Sequence, residues 1–571
     1  MKKIPLKNRL LIKFALNFVG KKGIAELDRA SKKPEKVQEK VLRSFLEESK
    51  DTVYGKEHRF ADILAARGPD FFRLYRKNVP VNNYEDIRSY VDRHKQGEPG
   101  VLFPGKPKMY GTTSGTAREP KWIPITRRYY REVYQEMNRL WFYTLIRNKP
   151  ETFSGKVLSI VGKAVEGAAP DGTLYGSISG ISQRDIPGFM KVLHTAPADV
   201  FHIADYKARY YTIMRIGIEQ NVTLIITANP STLIEMVNNA NEFYDEYVND
   251  IRQGTLSRRV EIAGEIRAVL EPRLRPNPER AEELRALKAR YGRVLPKHYW
   301  PNMQIINVWM CGNTIVYLEK VKDAFPEKAF FHEFGYFSTE CKAGLVLKSN
   351  TLDTVVFGHK TYWEFIRASD ENPNPQIYQL WEVKPGERYY PIITTSAGLY
   401  RYDMNDIVEV SGFYNGFPLI RFIQKGNGVI SMTGEKLHEQ QFIEAVHAAQ
   451  KDLDLPLDFF VGFADLDKSN YQFDYEFADQ GVTASRAGEL SARVDRYLGQ
   501  FNDEYRSKRD SNRVKAPGTF LLVPNSFEKF KSACIDLGYR DGQFKLNLLM
   551  QDEKRREMFK RLVLEKTGEP G

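Results

Sequence analysis

Three short apolar runs, Lys156–Val161, Val222–Thr227 and Gln304–Trp309, constrain the fold more than any other feature of this chain. They have the length and make-up of buried strands. Stretches with helical spacing separate them, such as Tyr206–Glu219. Strand and helix in alternation point to an α/β body. The chain has 571 residues, too many for one hydrophobic core, so a second domain is expected. Leu11, Phe14, Ala15, Phe18 and Val19, then Val37, Val41, Leu42 and Phe45, follow helical spacing, and residues 1–60 read as a helical start. Residues 230–295 are charged and helical in pattern, broken at Pro276-Asn277-Pro278. From Tyr378 to Phe422 short β-like runs alternate with turns, among them Tyr378–Val383 and Tyr390–Thr395. Lys425-Gly426-Asn427-Gly428 is the best hinge in the sequence. Beyond it, a helix (Leu437–Lys451), strands (Asp458–Phe463, Tyr471–Phe477), a long helix (Ala487–Arg509) and a strand (Thr519–Val523) make a small α+β domain. The expected division is a large domain over 1–424, a hinge over 425–436 and a small domain over 437–571.

Charge and cysteine usage exclude several function classes. The net charge is +12, and residues 1–50 hold 14 Lys/Arg against 6 Asp/Glu, so the other 521 residues carry only +4. A body so nearly neutral has no basic channel, and no nucleic-acid partner is expected. The basic start reads as a solvated helical face packed on the body, with weak contact to an anionic membrane surface as the other reading. Cys311, Cys341 and Cys534 are far apart and lack metal spacing, which favours a reducing, cytoplasmic setting. No apolar stretch reaches the length of a membrane span. His332-Glu333 does not open a zincin motif, because Tyr336 stands where the second histidine belongs. There is no P-loop, no Gly-x-Ser-x-Gly elbow and no Rossmann fingerprint.

Tyr110–Pro124 reads YGTTSGTAREPKWIP. Its hydroxyls and glycines, Gly111, Thr112, Thr113, Ser114, Gly115 and Thr116, allow backbone N–H groups to converge on phosphate oxygens, and Lys121 adds a nearby positive charge. The alternative is an ordinary turn between two strands. Tyr336-Phe337-Ser338-Thr339-Glu340 sets an aromatic beside two hydroxyls and a carboxylate, a set able to stack a base, touch phosphate and hold Mg²⁺ through Glu340. A strand end with an exposed acid would read the same way. In Tyr402-Asp403-Met404-Asn405-Asp406, the Asp406 carboxylate has two acceptor oxygens suited to the vicinal diol of a ribose. An Asn-Asp β-turn is the alternative.

The order of these segments resembles the Gretchen Hagen family of acyl acid amido synthetases, within the adenylate-forming superfamily. Thr112-Thr113-Ser114-Gly115-Thr116 matches its phosphate loop, and Pro120-Lys121 the wider superfamily's. Tyr336, Ser338, Thr339 and Glu340 match its Tyr-x-Ser-Ser-Glu, and Tyr402 and Asp406 its Tyr-Arg-Val-Gly-Asp. Leu46, Thr52, Tyr54 and Gly55, then Gly412-Phe413-Tyr414-Asn415, Arg421-Phe422, Lys436 and Gln543-Phe544-Lys545 complete the pattern across nearly the whole chain. Asp403, Met404, Asn405 and Leu546 depart from it and mark a remote, bacterial-type member.

The resemblance implies a large domain of mixed β-sheets flanked by helices and a small mobile α+β domain. It implies ATP and Mg²⁺ as cofactors, with a small carboxylic acid and an amino acid as substrates. The acid would be adenylated with release of pyrophosphate, and the acyl group then passed to the amine. Thr112, Thr113, Ser114, Gly115, Thr116 and Lys121 would hold phosphate, with Ser338 and Thr339 beside them and Glu340 on the metal. Tyr336, Tyr402 and Phe422 would lie about the nucleoside and Asp406 on the ribose. Lys545 and Lys436 would act as the catalytic and nucleotide-contacting lysines. Two rivals stand: an acyl-CoA ligase with a thiol acceptor, and a nucleotide-binding scaffold without turnover. The acid and the acceptor are not legible, although Trp309, Tyr362 and Trp363 permit an apolar acyl group.

Overall fold

The structure, a computed structural model, describes residues 6–112, 121–370, 372, 374–426, 429–430, 435, 437–465, 468–510, 514–536, 546–551 and 553–566. It divides into two compact units: Met1–Met404 with Val408–Phe422, and Asn405–Ile407 with Ile423–Gly571. The boundary near the C-terminal end falls just ahead of the Lys425-Gly426 stretch. Asn405 joins the smaller unit because its carbonyl accepts the Gly426 N–H at 2.8 Å.

The larger unit begins with two helices, α1 (Leu6–Ser31) and α2 (Pro34–Ser49). Pro34 sits at the first turn of α2, where its missing N–H costs nothing. Eight strands follow: β1 (Met109–Thr112), β2 (Trp122–Ile125), β3 (Lys156–Ser159), β4 (Gly167–Ala168), β5 (Leu174–Gly176), β6 (Val222–Ile226), β7 (Ile305–Val308) and β8 (Phe330–Glu333). They form two four-stranded sheets, ordered β2-β1-β5-β4 and β3-β6-β7-β8. The second is parallel throughout, and its strands β6 and β7 are wholly buried. These are the apolar runs that the sequence singles out. Burial on both faces explains why they lack alternation.

A third sheet contains β9 (Gly344–Val346), β10 (Thr354–Val356), β11 (Tyr362–Arg367), β12 (Ile377–Gln379), β13 (Arg388–Thr394), β14 (Tyr402–Asp403), β15 (Asp406–Tyr414) and β16 (Phe417–Lys425). Its order is β12-β11-β13-β15-β16-β10-β9, with β14 paired to β13. Strand β12 stops at Gln379, short of the expected Val383, because the Glu382 carboxylate and backbone N–H both bond back to Gln379 and turn the chain.

A buried ion cluster ties this sheet to the helix Pro69–Asn78. Glu364 of β11, 1% exposed, accepts Arg76 at 2.8 Å and Arg401 at 2.7 Å. Arg401 also donates to the carbonyl of Val79 at 2.8 Å. Beside it, Tyr400 stacks on Tyr54 at 4.9 Å, and Asn82 donates to both Tyr54 Oη and the Tyr400 carbonyl. Tyr54 belongs to the Leu-x₅-Thr-x-Tyr-Gly opening, so that segment works as a packing device.

The smaller unit pairs β17 (Val429–Ile430) with β18 (Leu437–His438), followed by the helix Glu439–Leu453. Its main sheet holds β19 (Leu457–Asp465), β20 (Asn470–Phe477), β21 (Lys515–Leu522), β22 (Leu549–Met550) and β23 (Val563–Lys566), ordered β22-β19-β20-β21-β23. The long helix expected over Ala487–Arg509 is two helices, Ala484–Phe501 and Asp503–Asp510. Asn502 between them is extended (φ −141°), and its side-chain oxygen accepts the Tyr505 N–H at 2.9 Å, starting the second helix.

Replacing Glu364 by Gln leaves two guanidiniums without their counter-charge. The expected loss is about 3–5 kcal/mol in the larger unit, read as a lowered denaturant midpoint of the transition that reports on it. An unchanged midpoint would refute the role given to Glu364.

Candidate functional site

The stretch that resembles a phosphate loop begins on β1 and ends on β2. Strands β1 and β2 pair antiparallel with Met109 opposite Ile125 and Thr112 opposite Trp122. Thr112, buried, and Lys121, half-buried, therefore stand at the two feet of the loop. Thr113, Ser114, Gly115 and Thr116 lie outside the described residues. The Lys121 ammonium lies 5.9 Å over the Tyr84 ring and pairs with no carboxylate among the described residues.

The second motif is a tight turn leaving the C-terminal end of β8. The amides of Ala343 and Gly344 both donate to the Tyr336 carbonyl, and Ser338 N–H donates to the Cys341 carbonyl at 2.8 Å. Inside the turn, Ser338 Oγ accepts the N–H groups of Glu340 (3.2 Å) and Cys341 (3.3 Å). Ser338 thus shapes the loop that presents Thr339 and Glu340, which are both partly exposed. The Glu340 carboxylate forms no ion pair among the described residues. Tyr336 points the other way: it is buried, 6.3 Å from the Trp363 ring.

The two motifs meet at Gly111. A β-carbon there would fall 2.7 Å from Thr339 Cγ2 and 2.7 Å from Ile178 Cδ1. Only a residue without a side chain lets β1 pass this close to the second motif. The hairpin and the Ser338–Glu340 turn are consequently neighbours, at the edge where β6, β7 and β8 end. The C-terminal edge of a parallel sheet is where α/β folds place ligands.

Glu333, the last residue of β8, fastens that edge. Its carboxylate accepts the N–H groups of Met310 (2.6 Å) and Gly335 (3.0 Å), so the exits of β7 and β8 are held together. Burial pushes its carboxyl up to about 7. Cys311 lies beside it with its thiol pushed well up, first by burial and then by the Glu333 charge, and the Phe422 backbone reaches the same thiol. Phe422 is thereby placed against the exit of β7. Trp309 stands there too, 6.2 Å from the Phe337 ring, whereas Tyr362 and Trp363 are fully buried in the core.

In the third motif, Tyr402 of β14 is buried and pairs with Ile393. Asn405 has φ +48°, in the left-handed region. The family pattern has glycine there, and asparagine is the side chain that best tolerates that conformation. This departure therefore preserves the turn that leads into Asp406, which is buried at the start of β15. Asp406 belongs to the smaller unit, and Lys436 and Lys545 lie outside the described residues.

Lys342 is the residue that sequence reasoning missed. It follows Glu340 by two positions and is buried, donating to Asn138 Oδ1, with its ammonium 4.8 Å from the Tyr134 ring and 5.4 Å from the Phe337 ring. Burial alone drops it to about 7. Tyr134 lies in a π-helical turn, Tyr130–Gln135, that opens the helix Glu136–Asn148. Such turns often accompany functional sites. One lysine in a turn carries no pattern; only burial marks it out.

Comparison with known proteins identifies the family. Residues 23–330 match the GH3 family N-terminal domain, 354–425 the GH3 family central domain and 440–554 the GH3 family C-terminal domain. The chain belongs to the GH3 family. It is 26% identical over 566 residues to jasmonoyl–L-amino acid synthetase JAR6 of Nicotiana attenuata, covering 94% of each chain. It is 25% identical over 591 residues to indole-3-acetic acid-amido synthetase GH3.5 of Arabidopsis thaliana, covering 95% of this chain and 94% of that one. Its fold matches the solved GH3.15 acyl acid amido synthetase with a TM-score of 0.81 at 22% identity, over 95% of this chain and 96% of that one. A 2-hydroxyisobutyryl-CoA ligase in the postadenylation state shares the fold more loosely, with a TM-score of 0.53 at 14% identity, over 94% and 92%.

Gly111→Ala should push Thr339 away from the hairpin and slow acid-dependent ATP–pyrophosphate exchange by roughly a hundredfold, as about 1 Å of misplacement can; the exchange rate measures it. Lys342 makes a second prediction. Its folded value is depressed below the unfolded one, so between about pH 7 and pH 10.4 the unfolded chain binds more protons. Stability contributed at this position therefore rises with pH, by up to about 1.4 kcal/mol per unit. Lys342→Met should melt higher than the wild type at pH 7, and the gap should close towards pH 10.

Proposed function

We propose that this chain is an ATP-dependent acyl acid amido synthetase. It joins a carboxylic acid to ATP, giving an acyl-adenylate and pyrophosphate, and then transfers the acyl group to the amine of an amino acid with release of AMP. The observation that carries the reading is the close approach of Gly111 to Thr339, which sets the phosphate hairpin against the Ser338–Glu340 turn. The names of its full-length relatives support the acid and amine chemistry.

The first step brings two anions together. Lys121, which forms no salt bridge among the described residues, and the donors of the 112–116 loop offset that repulsion and the charge that grows on the leaving pyrophosphate. Glu340 would hold Mg²⁺: its carboxylate is partly exposed and forms no ion pair among the described residues, and the neighbouring Thr339 hydroxyl is a hard oxygen donor of the kind this ion takes, while Ser338 Oγ is taken up by two backbone N–H groups. Bound there, the ion supplies further neutralisation of phosphate charge. Asp406 holds the ribose, while Tyr402, Phe422 and Tyr336 shape the nucleoside site, Tyr336 from within the core. Lys545 lies at the α-phosphate or the carboxylate during adenylation, and Lys436 contacts the nucleotide.

The second step needs an unprotonated amine and exclusion of water, because water would hydrolyse the adenylate. The three cysteines are free thiols, and Cys341 and Cys534 are buried, which supports a reducing, cytoplasmic setting. Among the described residues no helix is long and apolar enough to cross a membrane.

The test is acid-dependent ATP–pyrophosphate exchange across a panel of carboxylic acids, followed by addition of amino acids or coenzyme A. Exchange with one acid class, and consumption of that adenylate by an amino acid but not by coenzyme A, is the expected result. Lys545→Ala should lower exchange by roughly 10²–10³-fold. Absence of exchange despite Mg-ATP binding would leave a nucleotide-binding scaffold, and consumption by coenzyme A alone would make the chain a thioester ligase.

A further inference from the structure

Helix α1 is apolar on two opposite faces, and the body accounts for only one of them. The inner face carries Ile12, Leu16 and Leu27, all buried, with Gly20 and Gly23 between them. A β-carbon on Gly20 would strike the Tyr143 ring, and one on Gly23 would lie 2.5 Å from Leu140 Cδ2. Tyr143 and Leu140 belong to the helix Glu136–Asn148, so the glycines let the two helices lie close together. Further along, Lys360 fixes α1 through Glu26 at 3.0 Å and also meets Glu136 at 3.2 Å. That lysine neutralises Glu26 and Glu136, which with His359 would otherwise resemble a cation site.

The outer face is different. Phe14 is 72% exposed, Phe18 71% and Leu11 56%. At about 100° per residue, Leu11, Phe14, Phe18 and the exposed Ala25 fall within an arc of about 60° on the side opposite Ile12 and Leu16. Lys21 and Lys22 flank that arc and Lys13 lies a quarter-turn beyond it. All three are exposed, and none pairs with a carboxylate among the described residues. Exposed aromatic side chains bordered by uncompensated lysines are the signature of a helix lying in a membrane interface: rings enter the acyl boundary while the ammonium groups meet anionic headgroups. A protein partner of matching chemistry would need acidic residues around an apolar centre. The excess of basic residues in this segment, 14 against 6 over residues 1–50, favours a continuous anionic surface.

We propose that the outer face of α1 docks this protein on anionic phospholipid surfaces, with Phe14 and Phe18 as the inserted side chains. The docking is peripheral and salt-sensitive, because the lysines act through a screened field. It holds whatever acid the enzyme uses, and it leaves the inner face in place on the body.

Co-sedimentation of the full chain with vesicles tests it. Vesicles of phosphatidylcholine with 30% phosphatidylserine at low salt are compared with phosphatidylcholine alone. The expected result is at least tenfold more bound protein on the anionic vesicles, reduced several-fold in 0.5 M NaCl. Phe14→Ser combined with Phe18→Ser should bring binding to background with an unchanged melting midpoint and far-ultraviolet circular dichroism. Lys13, Lys21 and Lys22 all changed to Gln should do the same, which keeps the test decisive should the first variant misfold. Equal binding to both vesicle types, or undiminished binding by both variants, overturns the proposal. So does a concentration-dependent dimer that the serine variant abolishes, since the face would then belong to a second copy of the chain.

Discussion

One buried carboxylate organises the larger unit. Glu364 lies within β11 with almost no exposure and holds the guanidiniums of Arg76 and Arg401. Arg76 comes from the helix Pro69–Asn78, and Arg401 immediately precedes β14. The helix Pro69–Asn78, the third sheet and the approach to the third motif are therefore fastened at one point. A buried charge of this kind is costly to desolvate, and it persists only where its partners are held in place. Here Tyr75 bonded to Thr394 and Asn82 bonded to Tyr54 and to the Tyr400 carbonyl keep the surrounding backbone in register.

The same economy appears at the edge of the parallel sheet. Glu333 takes two backbone N–H groups from successive exits, and Ser338 takes two more inside the next turn. Acids and hydroxyls that look like ligands in the sequence are here partly occupied in shaping loops. Thr339, Glu340 and Lys121 stay partly exposed. Structure thus separates residues whose side chains are spent on shaping loops from neighbours that are not, a division that the motif's letters do not display.

Much of the architecture was legible. The buried strands could be read because burial on both faces leaves an unbroken apolar run, and the motifs because their order is too specific to arise by chance. The GH3 assignment confirms the resemblance drawn from Thr112–Thr116, Tyr336–Glu340 and Tyr402–Asp406. What escaped depends on pairing across distance. Gly111 gives no sign in the sequence that it will touch Thr339. Lys342 looks like any lysine until the Tyr134 and Phe337 rings surround it. The break at Asn502 could not be read because helical spacing continues through it, and only its capping of Tyr505 reveals the turn. The outer stripe of α1 was visible as a periodicity, but periodicity does not say which of two apolar faces the body will take.

Asn405 shows what a motif letter stands for. The position calls for a backbone that turns left-handed, and glycine is the commonest way to meet that demand. Asparagine meets it as well, and it also narrows the conformations open to the unfolded chain. Selection at such a site acts on a torsion angle, so the tolerated alphabet is short and predictable: glycine, asparagine, aspartate. A search pattern that insists on glycine will pass over relatives whose loop has the same shape, and distant members of a family will be undercounted wherever their turns have been respelled.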